Sequence, residues 1–152
     1  MKKTLLVFII SIFFINNTFS QISTEFQLKE ASKAAVIWLN NMNSENYPQA
    51  YTELSTEITS KFDSLDWVNG VNILMVDIGE FLGRREIFRQ FATNPLVFNE
   101  LLLNFPDGYY AIFQYESNYK NTLQHSEQLI LHQNDKRKWR VLDWSWDFKS
   151  KE

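Results

Sequence analysis

The chain has 152 residues, no cysteine, and 15 basic against 18 acidic residues, a net charge of −3. The lack of cysteine removes disulfides, thiolate nucleophiles and lipid attachment through an N-terminal cysteine, so stability rests on packing alone. An acidic chain without a basic block is poorly suited to phosphate backbones, which excludes nucleic acid as an expected partner.

The N-terminus stands apart from the remainder of the chain. Lys2 and Lys3 precede an apolar run from Leu5 to Ile15 broken only by Ser11, and Asn16-Asn17-Thr18-Phe19-Ser20 then turns polar and small. This three-part layout predicts a cleavable secretory signal over residues 1–20, cut between Ser20 and Gln21. The apolar run falls short of the roughly 20 residues that span a bilayer, so no stable membrane anchor is expected after cleavage. The periplasm or the extracellular space is the expected location. Residues 21–152 then carry 13 basic and 18 acidic side chains, a net charge of −5, and their length suits one domain.

Leu28, Ala31, Ala35, Trp38 and Met42 recur at helical spacing and predict an amphipathic first helix, ended by the Asn-rich stretch after Leu39. A short second helix is expected at Pro48, with Tyr47, Ala50, Tyr51 and Leu54 on its apolar face. Ser55 to Ser60 reads as a bend. Ser64 is the expected cap of a third helix, with Asp66 in its first turn, Trp67, Val71, Leu74 and Ile78 on its buried stripe, and Gly79 as terminator.

After Gly83 the apolar period shortens to two. Four strands are predicted: Arg84 to Ala92, Tyr109 to Tyr119, Leu123 to Gln133 and Lys138 to Phe148. Asn94-Pro95, Pro106-Asp107-Gly108, Lys120-Asn121 and Asn134-Asp135-Lys136 separate them. In the first strand Phe88 is expected on one face, with Ile87 and Phe91 on the other. The order predicts an α+β fold in which three N-terminal helices pack on a four-stranded antiparallel sheet. The fourth strand breaks its own alternation: Trp139 and Val141 share one parity, and Leu142, Trp144, Trp146 and Phe148 take the other. That requires either a β-bulge near Val141-Leu142 or a strand buried on both faces. The second alternative would leave an apolar outer sheet face suited to a homodimer.

Several pieces together resemble the DUF4019 family of small secreted bacterial proteins of unknown function. They are Ala34-Ala35-Val36-Ile37-Trp38-Leu39, Tyr47-Pro48-Gln49-Ala50-Tyr51 with Leu54-Ser55, Trp67, Leu82-Gly83, Pro106-Asp107-Gly108-Tyr109-Tyr110, Glu127 and Trp139-Arg140-Val141. Family members usually carry a Ser-Arg pair soon after the Leu-Gly; here Arg84-Arg85-Glu86-Ile87-Phe88-Arg89 departs from it, and only Arg89 stands near. The layout is also similar to the NTF2-like, cystatin-like fold with its curved sheet. That broad group includes enzymes, ligand-binding modules and interaction domains, so the resemblance selects no single activity.

The residues name no reaction. There is no Gly-x-Ser-x-Gly elbow, and glycines 70, 79, 83 and 108 are too scattered to cradle a phosphate. His125 and His132 have opposite strand parity and cannot ligate one metal from one face. No catalytic, cofactor-binding or metal-binding residue is therefore assigned, and no cofactor is expected. Asp63 and Asp66 suit capping or solvation. One constellation invites a functional reading. Leu123, His125, Glu127, Leu129 and Leu131 share a strand face, and a buried imidazole beside a carboxylate could serve as acid and base. The alternative is a structural ion pair of Glu127 with Arg84, Arg85 or Arg140, with Arg140 the first choice because its strand is the hairpin neighbour. The candidate pocket comprises Trp38, Tyr51, Tyr115, His125 and Glu127. The expected role is a non-catalytic module for a protein or a small apolar ligand. The alternative is a small isomerase, dehydratase or hydrolase using His125 and Glu127.

Overall fold

The structure is a computed structural model that describes residues 2–97, 105 and 108–151, with side chains from Ser23 onward except that of Val97. Four helices precede four strands: α1 (Lys2–Asn43), α2 (Tyr47–Thr52), α3 (Thr56–Thr59), α4 (Ser64–Ile78), β1 (Phe81–Ala92), β2 (Tyr110–Tyr119), β3 (Thr122–Gln133) and β4 (Trp139–Ser150). The strands form one antiparallel sheet in chain order. The protein is thus α+β, with one helix more than the periodicity predicts. The extra element is α3, a single turn where Ser55 to Ser60 reads as a bend. The side chains of the predicted leader and the Pro106-Asp107 part of the predicted turn lie outside the described residues.

The stripe of α1 folds as its spacing dictates. Ala31, Ala35, Trp38 and Met42 are buried against the sheet, and the two alanines let the helix lie close across all four strands. Tyr47 and Ala50 extend the same core from α2, where Pro48 sits in the first turn. The cap of α4 is Asp63 rather than Ser64. Its carboxylate accepts a 2.9 Å hydrogen bond from the backbone N–H of Asp66, since an extended residue just before the first turn is the one whose side chain reaches that donor. At the other end Gly79 has φ 80°, a conformation that closes the helix and that side chains resist. The turn between β2 and β3 anchors this end, with Asn121 donating to the Asp77 carbonyl at 3.1 Å and its backbone N–H to that of Ile78 at 3.0 Å.

Of four register irregularities in the sheet, three decide where the predicted side chains face. In β4 the register slips at Leu142, which is the bulge. Trp139 and Val141 before it and Trp144 after it therefore all join the main core, while Leu142 turns to the opposite face. There it is buried with Tyr110, Ile112 and Ile130, and Phe105 packs against the group. The two readings of the parity break are both realised: a bulge, in a strand buried on both faces at that point. In β1 Leu82 is one extra residue and Ile87 a second, so Ile87 and Phe91 do not share a face; Phe91 packs on the core, whereas Ile87 and Phe88 are exposed. In β3 the irregularity lies at Gln124 (φ 53°), which buries Thr122 and leaves Leu123 exposed, against the expected alternation.

Candidate functional site

The predicted pocket residues fall into two separate groups. Glu127 anchors the first. It lies on β3 facing the helices, and its side chain is wholly shielded from solvent. Arg84 on β1 reaches across β2 to it, with Nε donating to Oε2 at 2.8 Å and Nη2 to Oε1 at 3.0 Å. The residue it crosses is Ser117, small enough to let the guanidinium pass and placed to accept from Nε at 3.2 Å. Tyr119 donates its hydroxyl to Oε1 at 2.7 Å and accepts from Arg84 Nη2 at 3.0 Å. Phe81 lies under the guanidinium, whose carbon is 4.8 Å from the ring centroid.

Arg140, the expected partner, is elsewhere. The register sets Trp146 opposite Glu127 and Arg140 opposite His132, five residues along the strand or about 17 Å. Arg140 instead pairs with Glu53 at the end of α2. This contact accompanies a short parallel bridge in which the Val141 N–H donates to the Glu53 carbonyl at 3.0 Å and the Ser55 N–H to that of Val141 at 2.7 Å.

His125 is buried beside this cluster, its ring stacked on Phe148 at 5.2 Å and tilted against Tyr119 at 4.7 Å. Its Nε2 stands 3.6 Å from Glu127 Oε1, beyond hydrogen-bond reach, and neither ring nitrogen has a hydrogen-bond partner among the described residues. Burial holds the imidazole below its ordinary pKa, which outweighs the upward pull of Glu127. Burial, reinforced by the Glu127 charge, pushes the Tyr119 phenol well above its ordinary value, and burial with Glu86 does the same to Tyr115. A general base needs a carboxylate or imidazole lone pair aimed at a substrate proton. Here both carboxylate oxygens are engaged by Arg84 and one also by Tyr119, which is the arrangement of a buried structural ion pair.

The second group surrounds an open cleft of 510 Å³ between the helices and the β4 side of the sheet. Trp38 of α1 lines it, together with Leu54, Ile58 and Phe62 from the chain around α3. One wall is α4, through Asp66, Trp67, Gly70, Val71 and Leu74. The facing wall is β4, through Val141 to Trp144 and Trp146. The bulge at Leu142 creates this second wall, because without it Trp144 and Trp146 would point to the opposite face. Trp144 meets Trp38 edge-on at 5.4 Å and Trp146 at 4.7 Å, so three indoles form a continuous aromatic surface. The indole N–H groups of Trp38 and Trp144 are shielded from solvent and have no acceptor among the described residues. Tyr51 is not in the lining, but it braces the cleft: its ring lies 5.7 Å from that of Trp67 and its hydroxyl donates to the Phe62 carbonyl at 2.7 Å.

Of the five pocket candidates, then, Trp38 lines the cleft, Tyr51 supports it, and His125 is buried beside the ion pair, while Tyr115 and Glu127 line a separate open pocket of 340 Å³ with Gln114 and Trp146. Sequence reasoning does not find Trp144 and Trp146 as site residues, because their orientation depends on a bulge whose position the parity break only brackets. Gly70 is a subtler omission. Glycine inside a helix costs about 0.5–1 kcal/mol against alanine. Gly70 sits mid-α4 without a positive φ, and a Cβ built on it would meet nothing within 4 Å. Neither conformation nor crowding calls for glycine there, and the missing side chain widens the cleft.

The fold and this geometry define a small α+β protein whose helices cover one face of an antiparallel meander and leave an aromatic cleft beside its last strand. The family model for proteins of unknown function DUF4019 matches residues 34–144, and the chain belongs to that family. The matched span includes Trp38, Arg84, Glu127 and Trp144, and ends before Trp146. No curated protein matches the sequence.

Proposed function

We propose that this protein is a non-catalytic binding module that takes a small apolar molecule in the cleft between α4 and β4. The observation that carries the reading is a built cleft of 510 Å³ with aromatic and aliphatic walls, a size that suits a small ligand. The unfilled space over Gly70 supports it further. The enzyme alternative rests on His125 and Glu127, and the engagement of both Glu127 oxygens by Arg84 speaks against it. The NTF2-like layout implied by the resemblance belongs to the same proposal, supported by a helical layer on one sheet face.

The test is binding of the neutral fluorophore N-phenyl-1-naphthylamine, which brightens in apolar surroundings. The native protein should enhance its emission saturably at about one equivalent. Gly70→Leu, which puts a side chain into the open space, should abolish the enhancement while the melting temperature stays the same or rises. Equal enhancement by both proteins would contradict the reading.

Export is part of the proposal, supported by the layout of residues 1–20. The intact mass of protein recovered outside the cytoplasm should correspond to residues 21–152, and a mass that retains Met1 would refute cleavage.

A further inference from the structure

The chemistry of the cleft lining narrows the class of ligand beyond "apolar". Among the described lining residues the carboxylate that faces the cleft is Asp66 on α4, and none is a lysine, arginine or histidine; Asp143 pairs with Ile130, and its side chain lies on the opposite sheet face. Asp66 has no cationic partner among the described residues, in contrast to Glu30, Glu53, Glu86, Glu116 and Glu127, each of which pairs with a base. Asp66 is exposed at the first turn of α4, next in sequence to Trp67. The remaining polar character comes from four indoles, Trp38, Trp67, Trp144 and Trp146. Indole faces carry negative electrostatic potential and attract cations, most strongly where water is excluded. An anionic amphiphile would bring like charge to Asp66 with no base to receive it. A neutral one would leave its field unused.

We propose that the ligand is an organic cation with an apolar body, an alkylammonium or quaternary ammonium amphiphile. Its apolar portion lies against the tryptophans over Gly70, and its charge lies toward Asp66. This rests on the cleft being a small-molecule site, as proposed above.

The test uses three ligands with one tail: octyltrimethylammonium, 1-octanol and octanoate. Each displaces N-phenyl-1-naphthylamine from the isolated protein at low ionic strength, below its aggregation limit. The cation should bind about tenfold more tightly than octanol, and octanoate more weakly than either. In Asp66→Asn the preference for the cation over octanol should shrink to about threefold or less, with octanol affinity unchanged. Added salt should weaken the cation in the native protein and leave octanol unaffected. Equal affinity for all three ligands would overturn the cation assignment and leave the cleft reading standing, as would a preference for octanoate. Binding of none of them, nor of the fluorophore, would overturn both. A cation preference that survives both Asp66→Asn and salt would also overturn the assignment, since the carboxylate would then play no part.

Discussion

The most consequential residue in the core is charged. Glu127 is wholly buried and Arg84 nearly so, and each is the other's compensation. Removing one partner of such a pair leaves an uncompensated buried charge, which costs about 3–5 kcal/mol. Arg84→Met should therefore lower stability in urea by about that amount, and Glu127→Gln should come close. Arg140→Met, which breaks a partly exposed pair with Glu53, should cost less than about 1 kcal/mol. If Arg140→Met proved the more damaging, the assignment of partners would be wrong. The sequence presents Glu127 as a polar interruption of an apolar stripe, which correctly marks it as needing a partner. It does not reveal which arginine, because the answer depends on Ser117 being small enough for a side chain two strands away to cross. His125 adds a pH dependence. Burial lowers its pKa, and that of His132, from the ordinary 6.5. The unfolded chain then binds protons more readily than the folded one, so stability is complete above about pH 6.5 and falls as pH drops through the folded values. The urea midpoint should decline between pH 7 and pH 5, and His125→Phe should flatten that decline. An unchanged slope in the variant would show that His125 is not the group responsible.

Among the elements, α1 is legible because its apolar period is unbroken, and the strand order because turn signals separate the strands. The exceptions share a cause: each is a single-residue irregularity, at Ile87, Gln124 or Leu142, and one extra residue reverses every later side chain. The parity break in β4 announces such a feature; β1 and β3 give no comparable warning. The helix α4 shows how two glycines differ in meaning. At Gly79 the backbone has φ 80° and a Cβ would come within 2.8 Å of the Asn121 side chain, so Gly79→Ala should cost about 1–3 kcal/mol. At Gly70 neither constraint exists, and Gly70→Ala should stabilise by about 0.4–1 kcal/mol. Thermal unfolding of the two variants checks both signs. A loss at Gly70 similar to that at Gly79 would mean that α4 requires glycine for its own conformation, which would remove one support for an open cleft.

For the molecule as a whole, the exposed apolar residues Phe62, Leu65, Ile73 and Val76 show that α4 and the chain leading into it present apolar surface to solvent as well as to the core. The helix thus stands over the cleft with apolar side chains on two sides, and α1 likewise exposes Phe26, Val36 and Ile37 opposite its buried stripe. A four-stranded antiparallel sheet in chain order and the buried Arg84–Glu127 pair describe how the scaffold of this member of the DUF4019 family holds together. The cleft is where that scaffold leaves space. Ligands that enter the cleft should not reach the Glu127 cluster. Tryptophan indole resonances report on this directly, since Trp38, Trp67, Trp144 and Trp146 line the cleft and Trp139 does not. A nitrogen–proton correlation spectrum recorded through a titration with octyltrimethylammonium should show four indole signals moving together and saturating, with Trp139 and the Arg84 side-chain signal fixed. Movement of the Arg84 signal, with the four cleft indoles stationary, would contradict the account.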